Sequence, residues 1–144
     1  MNEANTRDLS AYRIEKAKEL LGQADALLKM ASYDGSINRS YYAIFSAIRA
    51  LLALVRLDSQ KHTGVIGFFD RYFVKTGICE KSLSQIVHTA FEARQISDYQ
   101  DFYRPTAEQA QLQFENAQRL LRTVEETCVL LLEHKIPYPE IVER

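Results

Sequence analysis

The chain has 144 residues and a formal charge of −1, from 18 Lys and Arg against 19 Asp and Glu, so no global field draws in nucleic acid and any RNA contact must be local. Apolar residues make up 47% and charged residues 26%, which excludes a disordered chain, the length suits a single domain that buries a core without disulfides or metal, and only five Gly and three Pro favour long helices and an all-α fold. The longest strongly apolar run, Ala47 to Val55, is too short to cross a bilayer and the polar start MNEANTRDLS has no signal-peptide core, so a cytoplasmic protein with no membrane span is expected.

From Leu9 to Ala31, the positions Ala17, Leu20, Leu21, Ala24, Leu27, Leu28 and Ala31 recur at spacings of three and four, which predicts a first helix with one buried stripe. SYDGS, with Asp34 and Gly35, reads as a turn. The same period then runs from Ile37 to Val55, and the stripe of Ser36, Ser40, Ala43, Ala47 and Ala50 beside it lets a neighbouring backbone come close. This predicts a central helix contacted on two faces. Val65, Phe68, Phe69, Tyr72 and Phe73 predict a short third helix closed by Gly77, weakened by Gly64 and Gly67. Ser82 to Gln85 offers a capping box for a fourth helix along Leu83, Ile86, Val87, Ala90 and Phe91, and Thr106 to Gln109 offers another for a fifth. That fifth helix carries Ala110, Phe114, Ala117, Leu121, Val124, Cys128 and Leu131 and runs to about His134, where PYPE stops it. Its regularity suits an internal core or a dimer seam equally. With no period-two alternation, the expectation is an up-and-down antiparallel bundle of about five helices. It forms one domain over 1–144, with a core at about 8–134 and a short tail at 135–144.

Cys79 and Cys128 match neither a disulfide framework nor a zinc pattern and are expected to be reduced structural thiols. His88 and His134 show no metal spacing and read as lone polar helix residues, while Arg49 and Arg56, seven apart, read as a solvated face. Neither a metal nor another cofactor is expected.

Three stretches, INRSYYAIFSAIRALL, KHTGVIGFFDRYFVKTG and FEARQISDY, together resemble in order and spacing the small stand-alone prokaryotic HEPN domains, over roughly residues 8 to 134. The resemblance implies a helical bundle, usually a homodimer, often paired with a minimal nucleotidyltransferase as toxin and antitoxin. Its active members are metal-independent ribonucleases with an Arg followed after four to six residues by a His. The imidazole supplies a base or acid near neutral pH and the guanidinium holds the phosphate.

Arg94 stands where the family's Arg stands, but QISDYQDFY after it contains no His; Asp98 and Tyr99 take the fourth and fifth places. A carboxylate can act as a base and is a poor general acid at neutral pH, so nuclease activity is in doubt. The plain alternative is an Arg94–Asp98 pair one turn apart with Tyr99 and Tyr103 packed at the corner. Arg56 and His62 also match the spacing, which chance alone allows in a chain with this many arginines. His62 belongs to the KH stretch of the resembling family, and caps the next helix or faces the same cleft. Tyr41 lies in the apolar stripe and reads as core. Arg39 and Tyr42 lie off it and are placed to meet Arg94 across the bundle, either as a pocket for phosphate and a stacked base or as a buried Arg satisfied by Asp98.

The expected function is therefore a homodimeric module that binds a nucleotide, RNA or its partner and acts with a nucleotidyltransferase in a toxin–antitoxin or stress-response pair, with Arg39, Tyr42, Arg94, Tyr99 and Tyr103 as binding residues. The alternative is a ribonuclease using Arg94 with His62 or Asp98. A third reading makes Tyr99 or Tyr103 the hydroxyl that the nucleotidyltransferase modifies.

Overall fold

A computed structural model describes residues 2–142, so Met1, Glu143 and Arg144 of the expected domain lie outside the described residues. It is an all-α bundle: α1 (Glu3–Lys29), α2 (Tyr33–Leu54), α3 (His62–Phe69), α4 (Lys81–Tyr99) and α5 (Ala107–Leu132), with α3 running on into a π-helical turn, Asp70–Val74. No strand occurs among the described residues.

The central helix is α2, which packs on α1, α3, α4 and α5. Its small stripe is the reason: Ser36, Ser40, Ala43, Ala47 and Ala50 are all completely buried, so neighbouring helices approach its backbone closely. On its bulky side Ile44, Ile48, Leu51 and Leu52 are equally buried, each contributing about 1.5–3 kcal/mol by leaving water. The regular stripe of α5, from Ala110 to Leu131, is buried in this same core, so the chain itself accounts for that periodicity.

Several boundaries differ from the sequence expectation. α1 starts six residues earlier than Leu9, because Asn2 caps it, its side chain accepting from the Asn5 N–H at 2.9 Å; the polar opening turns carry no stripe to reveal them. Asp34 and Gly35 belong to the first turn of α2 instead of a loop, where the Asp34 charge favours the helix N-terminus. The reversal is made upstream by Ala31 at φ 60°, with Ser32 N–H bonding the Leu27 carbonyl and Ala31 N–H that of Leu28. Arg56 and His134 end α2 and α5 in the same left-handed way, a motif usually announced by glycine and here invisible in the sequence. The Ser82 capping box does not form: Glu80 is the N-cap of α4, and the Ser82 hydroxyl donates to its carboxylate at 3.4 Å. The Thr106–Gln109 box forms with both bonds present, at 3.1 and 2.8 Å. The tail does not hang free, since Ile136, Tyr138 and Ile141 pack against the core.

α3 begins at His62, three residues before its first apolar position. Gly64 explains the entry, since a Cβ there would press into the Ser59 side chain in the connection, whereas one at Gly67 meets nothing. Gly67→Ala is expected to stabilise the fold by about 0.5–1 kcal/mol and Gly64→Ala to destabilise it. Urea unfolding of the two variants checks the opposite signs.

Candidate functional site

The site is built on one face of α2. Tyr41, Phe45 and Arg49 stand at successive turns, and α3 and α4 bring their residues against this row. The Arg94 side chain, about one-tenth exposed, is held mainly by π faces: its guanidinium carbon lies 4.9 Å from the Tyr41 ring centroid, 5.7 Å from Tyr42 and 5.8 Å from Phe91. Asp98, one turn along α4, approaches Arg94 only to 3.6 Å and accepts from Asn38 Nδ2 at 3.4 Å. Arg94 Nε is buried without a hydrogen-bond partner. A guanidinium packed by rings and barely bonded to its carboxylate keeps donors for an incoming oxyanion.

His62, the first residue of α3, also packs on Tyr41, its ring stacked at 5.8 Å between centroids. Its Nδ1 hydrogen-bonds the Tyr41 hydroxyl at 2.8 Å, and its ring stacks on Phe45 at 4.2 Å and meets Tyr42 edge-on at 5.9 Å. Burial pushes the His62 pKa below the ordinary imidazole value, and the charges of Arg94 and then Arg49 push the same way. Burial pushes the Tyr41 phenol far up, with Arg94 opposing, so Tyr41 keeps its proton at any working pH. With Nδ1 engaged, Nε2 is the imidazole nitrogen open to a ligand.

The sign of the His62 shift gives a pH prediction. Because the folded pKa is depressed, the unfolded chain binds the extra proton first. Stability from this group is full above about pH 6.5, the unfolded value, and falls as pH drops through the folded pKa. His62→Gln is expected to flatten that stretch of the stability–pH curve, measured by urea unfolding in a pH series.

Arg94, His62 and Tyr42 thus come together, and Asp98 touches Arg94. Arg39 joins only through Asn38, donating to its Oδ1 at 2.9 Å. Tyr99 is 74% exposed, so it does not pack at the corner. Tyr103 turns to α5, its hydroxyl donating to Gln109 Oε1 at 3.5 Å. Arg56 is exposed, in a left-handed conformation beyond the end of α2.

Other sequence readings change as well. Arg49 is not a free solvated residue: it pairs with Asp58 at 3.1 Å and lies 5.9 Å from the Phe45 ring. His88 is not alone, since its Nε2 is 2.7 Å from Asp70 Oδ2, and Ser84 donates to the other oxygen of that carboxylate at 2.7 Å. Tyr41, Phe45, Phe91 and Asn38 are site residues that sequence reasoning left in the core or on the surface. Cys79 and Cys128 are buried free thiols, pushed by burial up to about 11. Among the described residues no helix is long and apolar enough to cross a membrane, and no His, Cys, Asp or Glu group could hold a metal ion.

The sequence model of the HEPN domain matches residues 10–127, most of the chain. The chain belongs to the HEPN domain family. Among relatives of this HEPN protein, a UPF0332 protein of Thermotoga maritima is 41% identical over 88 residues, covering 61% of this chain and 67% of the relative. A protein of Methanocaldococcus jannaschii provisionally named a toxin is 38% identical over 98 residues, covering 68% and 72%. A second protein of that organism, named in the same way, is 34% identical over 86 residues, covering 60% of this chain and only 58% of its own length. The HEPN match contains every residue of the Arg94–Tyr41–His62 cluster.

Proposed function

We propose that this HEPN protein is a homodimeric RNA- or nucleotide-binding module that acts with a nucleotidyltransferase partner as a toxin–antitoxin pair, with Arg94 gripping a phosphate beside His62. The observation that carries the reading is that Arg94 and His62, 32 positions apart in sequence, lie against the same ring, Tyr41. The provisional toxin names of the two archaeal relatives support the class of system.

Cleavage is the second reading, favoured by the state of His62: neutral at pH 7, fixed at Nδ1 and open at Nε2. In the tautomer whose Nδ1–H donates to the Tyr41 oxygen, Nε2 takes the proton of an RNA 2′-hydroxyl, the 2′-oxygen attacks the adjacent phosphorus to give a 2′,3′-cyclic phosphate, and the 5′-oxygen leaves as its hydroxyl with a proton from water or from the imidazolium. Arg94 offsets the charge that builds on the phosphoryl oxygens. Asp98 takes the place of the base if His62 proves dispensable.

The experiment is RNA binding and cleavage by purified protein in EDTA, from mildly acidic to neutral pH, for wild type, His62→Gln and Asp98→Asn. Binding without products establishes the module. Products that vanish with His62→Gln establish the ribonuclease and name its base, and those that vanish only with Asp98→Asn transfer that role. Failure to bind RNA or nucleotide at all rejects the proposal.

A further inference from the structure

The row of rings that carries Arg94 at one end carries a second arginine at the other. Tyr41, Phe45 and Arg49 are spaced by four along α2, so Arg49 stands about 12 Å along the helix from Tyr41. Its guanidinium carbon is 5.9 Å from the Phe45 ring, and that ring stacks on His62 at 4.2 Å. His62 therefore has Arg94 reaching it through Tyr41 and Arg49 reaching it through Phe45.

Arg49 is not neutralised where it stands. Its Nη2 bonds Asp58 at 3.1 and 3.4 Å, and Arg13 shares that carboxylate at 3.6 Å, so two guanidiniums meet one carboxylate. Arg13 also donates to the Arg49 carbonyl at 3.0 Å, fixing the pair to the helix. The Arg49 side chain is 32% exposed, and its Nε is buried without a hydrogen-bond partner. Asp58 is 53% exposed and lies in the connection that leads to His62, so an anion can compete with it from solvent without opening the core.

We infer that Arg49, backed by Arg13, is a second phosphate-binding subsite, taking the phosphate of a neighbouring nucleotide when an RNA strand lies across His62 with another phosphate at Arg94. The inference rests on the proposed binding of RNA at Arg94 and extends the ligand from one nucleotide to a strand. Asp58 occupies the subsite's donors until the strand arrives.

The test measures binding of two probes, uridine monophosphate and a short 2′-O-methyl oligouridylate that cannot be cleaved through its 2′-oxygen. The proteins are the wild type, Arg49→Gln, Arg49→Lys and Arg94→Lys, each with helicity checked. Arg49→Gln is expected to leave monophosphate affinity unchanged, weaken the oligonucleotide roughly tenfold, and lower the slope of log affinity against log salt by about 0.7, one single-strand phosphate contact. Arg49→Lys restores part of both. Oligonucleotide affinity and salt slope unchanged in Arg49→Gln, while Arg94→Lys weakens both probes, overturn the second subsite and leave the Arg94 reading standing. Equal weakening of both probes by Arg49→Gln also overturns it, since Arg49 would then act on the same phosphate as Arg94. No effect of either arginine removes the Arg94 reading and the inference with it.

Discussion

Arg94→Met is expected to fold with nearly wild-type stability and to lose RNA or nucleotide phosphate binding by about a hundredfold. The side chain lies over Tyr41, Tyr42 and Phe91, so an unbranched thioether can fill its space and keep contact with the rings. What it cannot replace is the charge: two charge-assisted hydrogen bonds to a phosphate contribute about 3 kcal/mol together, which is the hundredfold. Arg94→Ala is a poorer probe, because it also opens a cavity among three rings at a cost of about 2 kcal/mol. Urea unfolding reports the stability and fluorescence anisotropy the affinity. Wild-type affinity in a folded Arg94→Met protein would remove Arg94 from the site.

Phe69→Ala carries the largest expected loss of stability, about 3–5 kcal/mol. Phe69 is completely buried, its ring centroid 6.4 Å from that of Phe73, so truncation loses both the transfer of a whole ring and the packing around it. Against the roughly 5–15 kcal/mol that holds a domain together, this is a large fraction. In urea the midpoint should fall with an unchanged slope. Phe68, one residue away and only half-buried against Tyr72, is the internal control, and Phe68→Ala should cost clearly less. Equal losses at the two positions would contradict the assignment of the buried face of α3. Since α3 begins with His62, a folded Phe69→Ala protein also tests whether the anchoring of that helix holds the imidazole in place.

Much of the fold was legible because burial imposes a period on helices. The stripes of α2 and α5 could be read directly, as could the small residues that let other helices onto α2, since every buried helical position must match the core that faces it. The capping box of Thr106 was legible for the same kind of reason, a local bond between residues three apart. At Ser82 the identical pattern misled, because Glu80 took the N-cap position and nothing in the spacing says which of two candidates the backbone will use. The ends of α1, α2 and α5 fall within two residues of where the stripes stop, but the left-handed turns that make them were hidden, because Ala31, Arg56 and His134 adopt a conformation that side chains with a Cβ usually avoid; the surrounding bonds hold them there.

The site was legible as a list and not as an arrangement. Arg94, Asp98, His62 and Tyr42 could be named from a family resemblance and from chemistry, yet Tyr41, which joins Arg94 to His62, falls in an apolar stripe and is as buried as its neighbours. A pattern of hydrophobicity registers the ring and cannot register where the hydroxyl points. The same holds for Arg49, which the sequence places on a helix surface and the fold places beside Phe45 and Asp58. By itself the sequence determined the family, the helices and the types of group available, because those follow from local period and composition. Only the tertiary structure decided which of them meet, because α3 and α4 reach α2 from distant parts of the chain, and contacts between helices depend on crossing geometry that no local spacing encodes.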